Sequence, residues 1–255
     1  MDKSVLITGA TSGIGEASAH LFAAHQYNLI LTGRRVEKLK TLAALLTERH
    51  KIRVLVLAFD VSNNDDVKTA LNDLPSEWKN IDVLINNAGL SLGQEPFQNG
   101  MVSDWETMID TNVKGLLYVS KIVSNWMIGK GSGHIINLGS IAGKEVYANG
   151  NVYCATKFAV DALTKGMRID LLPHNIRVTA IHPGAVETGF SKVRFKGDSF
   201  RAKKVYEGFE PLRAEDVAET IWYATSRPKH VNINELVIMP SAQANSSIVF
   251  RKIVI

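Results

Sequence analysis

An α/β fold, a single-domain Rossmann-like doubly wound parallel sheet flanked by helices, is predicted by three features of this 255-residue chain. Short β-rich runs alternate with longer helical stretches along its length. A glycine-rich turn follows the first run and opens the first helix. No internal repeat or low-complexity linker divides the chain, so residues 1–255 read as one domain.

The elements follow in order. Val5-Leu6-Ile7 begins the sheet, and a helix covers about 16–25. Leu29-Ile30-Leu31 is the second strand. A helix spans 36–50, with Leu39, Leu42, Ala43 and Leu46 at the i, i+3, i+4, i+7 spacing of one face. Residues 53–59 form a strand, 65–74 a helix and 81–85 the fourth strand. A long helix covers 103–128, broken near Gly115. Then come a strand at 134–138, a helix at 152–172, a strand at 177–181, a helix at 215–226 and a last strand at 236–239. The segment 183–213 is irregular. So long a loop inside a compact domain is uncommon and usually functional, which points to a substrate lid.

Composition narrows the classes. Hydrophobic residues make up 45% and charged residues 21%, far from a disordered chain. Cys154 is the single cysteine, which excludes an internal disulfide and a cysteine-rich zinc site. The seven histidines form no H-E-x-x-H, so no metal is expected. No apolar run approaches the ~18 residues that span a bilayer. Met1 to Ser4 lead straight into a strand and leave no room for a signal peptide. A soluble cytoplasmic protein with no membrane partner is expected. The net charge of +4 is too mild to indicate nucleic acid unless its excess is local.

Thr8-Gly9-Ala10-Thr11-Ser12-Gly13-Ile14-Gly15 has glycines where a strand passes into a helix. Glycine lets backbone approach a pyrophosphate, and a helix N-terminus offers free N–H groups and a positive dipole end. A dinucleotide is therefore expected here. The second strand ends Leu31-Thr32-Gly33-Arg34-Arg35, with no carboxylate for a ribose 2′-hydroxyl. Two guanidinium groups suit a 2′-phosphate, so the cofactor expected is NADP. The plainer reading is two solvated arginines, although cations at a helix start oppose its dipole.

Tyr153 and Lys157 stand at i and i+4 and share a helix face. A phenol with a pKa near about 10 is a poor acid–base group at neutral pH, and an adjacent ammonium favours the phenolate. Ser140, 13 residues before Tyr153, stands at the carboxyl end of the fifth strand, where open parallel sheets bind ligands. Each residue also has a bland reading, Ser140 as a turn cap above all.

These pieces, with Asp60-Val61, Asn86-Asn87-Ala88-Gly89, Asn112 and Pro183-Gly184-x-Val186-x-Thr188, resemble the short-chain dehydrogenase/reductase superfamily over nearly the whole chain. The resemblance implies that Tyr153 is the general acid/base and that Lys157 holds the nicotinamide ribose and lowers the tyrosine pKa. It implies that Ser140 hydrogen-bonds the substrate oxygen and that Asn112 places a water relaying protons from Lys157. Asp60 and Val61 would meet the adenine. Asn87, Ala88 and Gly89 would support the cofactor, and Pro183, Gly184, Val186 and Thr188 would bracket its nicotinamide end. A homotetramer is a family expectation.

Three stretches, 140–153, 190–198 and 239–243 with Phe250-Arg251, resemble the branch of NADP-dependent 3-hydroxy acid dehydrogenases that act on serine, allo-threonine and related short acids. Six basic residues and one acidic residue fall within 192–204, an excess that would attract a carboxylate. Arg194 is the candidate substrate contact, since a guanidinium pairs bidentately with a carboxylate; a solvated loop is the alternative. The excess thus points to small anions, not nucleic acid. A general carbonyl or 3-oxoacyl reductase of the same fold is the rival enzyme, and a silent NADP sensor the rival from another class. The tail 248–255 is apolar enough to expect docking on the core or on another subunit. Cys154 and His182 read as packing residues.

Overall fold

The computed structural model describes residues 3–252. Strands β1 (Ser4–Ile7), β2 (Asn28–Gly33) and β3 (Val54–Ala58) alternate with helices α1 (Gly13–Ala24), α2 (Val36–His50) and α3 (Asn64–Asn72). After β4 (Val83–Asn86), α4 (Val102–Ile109) runs through a π-helical turn (Asp110–Gly115) into α5 (Leu116–Lys130). The chain continues through β5 (Gly133–Leu138), α6 (Asn151–Asp170) and β6 (Ile176–Pro183). Two short helices, α7 (Phe190–Arg194) and α8 (Ser199–Lys204), precede α9 (Ala214–Thr225) and β7 (Glu235–Ile238).

The seven strands form one sheet in the order β3-β2-β1-β4-β5-β6-β7, with every neighbouring pair parallel. The order reverses between β1 and β4, and ligands of open α/β sheets bind in the crevice beyond the carboxyl ends at such a point. Pleating sends alternate side chains to opposite faces. Val5, Ile7, Leu29, Leu31, Val83 and Ile85 join one apolar cluster with Phe22 of α1, Leu39 of α2 and Ile221 of α9. Leu6, Ile30 and Leu84 join the other with Leu71 of α3 and Val119 and Val123 of α5. Burial of each such side chain is worth about 1.5–3 kcal/mol, which is why the central runs contain almost nothing polar.

Several of the exceptions pair with one another. Asn86 Nδ2 donates to Ser120 Oγ and to Asn137 Oδ1, both at 2.8 Å, and Asn137 Nδ2 donates to Thr164 Oγ1 at 2.9 Å. This chain pins β4 and β5 to α5 and α6 just below the carboxyl ends of the strands.

The break expected near Gly115 in the helix over 103–128 is a π-turn, Asp110–Gly115, in which buried Asn112 turns inward to bond Leu90. Two other expectations change. The segment 183–213 is not wholly irregular, since α7 and α8 lie in it. Helices of five and six residues are too short to show a period. Asp198 caps α8, accepting from Phe200 N and Arg201 N, each at 3.0 Å. The described part of the tail docks through its backbone, with Phe250 N on Ala242 O at 2.8 Å and Lys252 N on Gly208 O at 2.7 Å. Its Ile248 and Phe250 side chains nevertheless remain exposed, and residues 253–255 lie outside the described region. No described helix is long and apolar enough to cross a membrane.

Candidate active site

The turn after β1 is shaped by what it must touch. Gly9 has φ +68°, a conformation side chains resist, and any Cβ on Gly15 would stand 2.4 Å from the Gly9 carbonyl oxygen. Asn87 Nδ2 holds the turn by donating to Thr8 O at 2.9 Å and Gly9 O at 3.2 Å. Thr8 Oγ1 accepts from the Asn87 and Ala88 N–H groups, both at 3.0 Å. The result is a side-chain-free cradle at the N-terminus of α1. Ile14 packs on the core behind it. Thr188 closes the other side, its methyl 3.2 Å from where a Cβ of Gly13 would be.

Of the two arginines after β2, Arg35 is placed against this cradle and Arg34 beside it on Asp60. Arg35 donates through Nε to Thr11 Oγ1 at 3.0 Å and through Nη2 to Ser12 Oγ at 2.8 Å. Arg34 is exposed and pairs with Asp60 Oδ2 at 3.4 Å. The Asp60 carboxyl sits below its usual range; burial raises it, but hydrogen bonds from Ser62 and the charge of Arg34 outweigh that. Val61 packs where a Cβ of Gly115 would be, 2.9 Å from its Cγ2. A cleft without side chains at a helix N-terminus, ringed by hydroxyls and two guanidinium groups, fits a dinucleotide with a 2′-phosphate.

Ser140, Tyr153 and Lys157 come together at the carboxyl end of β5. Ser140 caps the short turn Ile141–Gly143, its Oγ accepting from Ala142 N at 3.1 Å. The cap expected as the plain alternative is therefore real, and the same hydroxyl also faces the Tyr153 phenol. Tyr153 and Lys157 lie on one face of α6, both buried. Lys157 Nζ donates to Leu138 O at 2.9 Å and stands 5.9 Å from the Tyr153 ring centre. With no acid beside it, burial lowers its pKa to about 8.

The tyrosine departs from expectation. Burial, then the neighbouring Tyr147, push its phenol well above the ordinary value, and Arg194 and Ser140 offset only part of the rise. The ammonium of Lys157 is too far off to reverse the cost of desolvation. In this state the phenol holds its proton and is a donor.

Asn112 sits in the π-turn, a feature common at functional sites. Its Oδ1 accepts from Leu90 N at 2.8 Å, and its Nδ2 donates to Leu90 O at 2.8 Å and Thr156 Oγ1 at 3.1 Å. The side-chain amide is thus committed, and a water held by this residue would need its backbone carbonyl. Gly89 stands between, the place of a Cβ lying 3.2 Å from Asn112 Oδ1 and 3.7 Å from Lys157 Nζ.

Pro183 ends β6, Gly184 N donates to Ile238 O at 2.8 Å, and Val186 bridges to Leu212. Beyond them lies a cleft of about 470 Å³, walled by Ser140, Tyr153, Phe190 and Arg194. Arg194 does not wave in solvent. Its Nε donates to Ser91 Oγ at 3.0 Å and its Nη2 to the Tyr147 hydroxyl at 2.9 Å. Its guanidinium carbon stands 5.1 Å from the Tyr153 ring centre and 5.3 Å from that of Phe190. Ser91 and Tyr147 were not foreseen; they lie in loops with no period to betray them. Gln243, which accepts from Ala185 N at 2.8 Å, and Arg251 also reach this cleft from the C-terminal segment. Buried Cys154 packs with Leu90, Met108 and Tyr153, as a small core residue would.

Comparison with known proteins bears on this geometry. The model of the short chain dehydrogenase family matches residues 3–198. NADP-dependent 3-hydroxy acid dehydrogenase YdfG of Shigella flexneri is 47% identical over 241 residues, 94% of this chain and 96% of that protein. Sulfoacetaldehyde reductase 2 of Chromohalobacter salexigens is 45% identical over 248 residues, 97% of this chain and 98% of that protein. The solved closed form of serine dehydrogenase complexed with NADP+ superposes with a TM-score of 0.90 at 45% identity, covering 97% of this chain and 99% of that one. The chain belongs to the short chain dehydrogenase family.

Proposed function

We propose that this protein is an NADP-dependent oxidoreductase that moves a hydride between NADP(H) and a short 3-hydroxy acid, of the serine, allo-threonine or 3-hydroxypropionate type, or its oxo form. The observation that carries the substrate class is the guanidinium of Arg194, held by Ser91 and Tyr147 directly over the Tyr153 ring. A 3-hydroxy acid whose carboxylate meets Arg194 has its reacting carbon two bonds from the carboxylate carbon, within reach of Tyr153 and Ser140. The relative named as a 3-hydroxy acid dehydrogenase supports the same reading.

NADP(H), when bound, supplies or accepts the hydride. Gly9, Thr11, Ser12, Gly13, Ile14 and Gly15 would cradle the pyrophosphate. Arg34 and Arg35 would turn from Asp60, Thr11 and Ser12 to the 2′-phosphate. Asp60 and Val61 would flank the adenine, Asn87, Ala88 and Gly89 the adjoining ribose side, and Pro183, Gly184, Val186 and Thr188 the nicotinamide end. In reduction Tyr153 Oη donates its proton to the carbonyl oxygen while Ser140 Oγ hydrogen-bonds that oxygen. In oxidation the phenol must first give up its proton, and the burial that raises the Tyr153 phenol opposes that step. Lys157 would anchor the ribose, and its ammonium would favour the phenolate by less than burial opposes it. Asn112 keeps the Leu90 loop on α6, and a proton-relay water there would rest on its backbone.

The whole of 1–255 is taken as one domain whose 183–213 segment serves as the lid. A cytoplasmic homotetramer without nucleic-acid or membrane partners is the setting proposed. Exposed apolar side chains on α6, Phe158 and Ile169, support self-association. Initial rates with NADP(H) and NAD(H) on a panel of short 3-hydroxy acids, their oxo forms and uncharged ketones test the proposal. Preference for NADP(H) and for the acids is expected. Equal rates on uncharged ketones would favour the general carbonyl reductase.

A further inference from the structure

Behind Ser140 lies a buried polar cluster that the reaction as described does not use. His182, on β6, is wholly buried, and its Nδ1 stands 3.2 Å from the Ser140 carbonyl oxygen. Its ring lies flush under the residues leading into the turn, so close that a Cβ on Gly139 would stand 2.4 Å from Nδ1. On the far side, Nε2 is 3.4 Å from Asp161 Oδ1 and has no hydrogen-bond partner. Asp161 follows Tyr153 and Lys157 on the same face of α6, at i+8 and i+4 respectively. It accepts from Lys144 Nζ at 2.8 Å and Lys165 Nζ at 2.7 Å, and Lys144 also pairs with Glu235 Oε2 of β7 at 2.6 Å.

The turn that carries Ser140 is therefore gripped at both ends. His182 holds the Ser140 carbonyl at its start, and Lys144 ties its end to Asp161 and Glu235. The Lys144 grip ends on Asp161, a carboxylate of the helix that carries Tyr153, and the His182 ring lies beside it. The Asp161, His182 and Glu235 side chains are also close enough to share a small cation, but the Lys144 ammonium already stands between the two carboxylates. The cluster is a clamp, not an ion site.

A neutral imidazole has one N–H. The contact at Nδ1 has hydrogen-bond geometry and that at Nε2 does not, which assigns the proton to Nδ1, donated to the Ser140 carbonyl. Burial, then the charge of Lys144, keep the ring below its ordinary pKa, consistent with one proton. We propose that His182 is a positioning residue: its Nδ1 hydrogen bond to the Ser140 carbonyl sets where the Ser140 hydroxyl stands relative to the Tyr153 phenol. A displacement of ~1 Å at a reacting centre costs up to about 100-fold in rate, so the bond matters to turnover and much less to cofactor binding.

The inference rests on the reading that Ser140 contacts the reacting oxygen, and a double-mutant cycle separates the two. His182→Leu and His182→Asn are made in the wild-type chain and in Ser140→Ala, with kcat, KM for NADP(H) and thermal unfolding measured for each. His182→Leu alone is expected to lower kcat about 10–100-fold with KM for NADP(H) within a factor of about 2. His182→Asn, whose amide N–H overlies Nδ1–H, restores kcat to within a factor of about 3. In the Ser140→Ala background the leucine change does nothing further, because the residue it positions is gone. If Ser140→Ala costs tenfold or more while the leucine penalty still multiplies onto it, His182 is merely structural and the inference fails. If Ser140→Ala itself keeps wild-type kcat, the underlying reading of Ser140 fails instead. Should leucine prevent folding, the asparagine variant still decides: a 10-fold loss that persists without Ser140 overturns the proposal.

Discussion

Arg194→Ala removes the cation that stands over the reacting tyrosine in the wall of the cleft. The guanidinium has five N–H donors, and Ser91 and Tyr147 take two. Three remain to face a carboxylate, enough for a bidentate pair. A hydrogen bond to a charged group is worth about 1.5–3 kcal/mol, and two of them in full would give up to about 6. Arg194 is only half-buried, so solvent screening and the entropy of fixing a small acid reduce this to about 3 kcal/mol, roughly a hundredfold. The interaction is made in ground and transition states alike, so it appears in KM while kcat changes little. Arg194→Lys keeps the charge but loses the fork, and falls between. The assay is initial-rate kinetics with NADP+ on a 3-hydroxy acid and on its methyl ester, which lacks the anion. The wild-type enzyme is expected to prefer the acid strongly and Arg194→Ala to lose that preference by raising KM for the acid alone. An equal loss on acid and ester would refute the reasoning, since Arg194 would then act through its contact with the Tyr153 ring.

Further outcomes follow from the cradle and the helix beside it. Arg35→Ala raises KM for NADP(H) about 10–100-fold, the worth of a charge-assisted hydrogen bond, and leaves KM for NAD(H) unchanged; an equal rise for both cofactors contradicts the 2′-phosphate assignment. Gly15→Ala forces a Cβ to 2.4 Å from the Gly9 carbonyl and 2.5 Å from Asn87 Nδ2. Overpacking of this kind costs about 1–3 kcal/mol, so a lower melting temperature and lost enhancement of NADPH fluorescence are expected. Lys157 has a folded pKa of about 8 against 10.5 for the free side chain. The unfolded chain then binds more protons between those values, so this residue's contribution to stability rises with pH across the window, by at most about 1.4 kcal/mol per unit. The difference in urea-unfolding free energy between wild type and Lys157→Met should grow in favour of wild type from pH 8 to pH 10; a flat difference contradicts the burial.

Some of this was legible because the signal is local. The helix at 36–50 is found to the residue, since its stripe from Leu39 to Leu46 and its polar flanks are complete within the segment. Tyr153 and Lys157 share a face by spacing alone, and Gly9, Gly13 and Gly15 announce a turn where a strand enters a helix. What stayed hidden depends on distant chain. Asn112 bends its helix to reach Leu90, 22 residues away, and Arg194 finds Ser91 across 103 residues. Tyr147 is just another loop aromatic until that guanidinium meets it. Arg34 and Arg35 read as free anion ligands, yet Asp60, Thr11 and Ser12 hold them, which only the fold of β2 and β3 against the cradle reveals. The phenol of Tyr153 rises because desolvation depends on how deep α6 sits, a quantity no spacing encodes.

Tyr153→Phe tests the acid–base assignment most directly. The substitution removes the phenolic oxygen and keeps the ring that packs on Phe190 and Arg194. General acid–base catalysis contributes about 10²–10⁴-fold, so NADPH oxidation with a 3-oxo acid should slow by that factor while NADPH binding, read by fluorescence, is unchanged. Near-wild-type turnover with normal NADPH binding would contradict the assignment of Tyr153 as the proton donor.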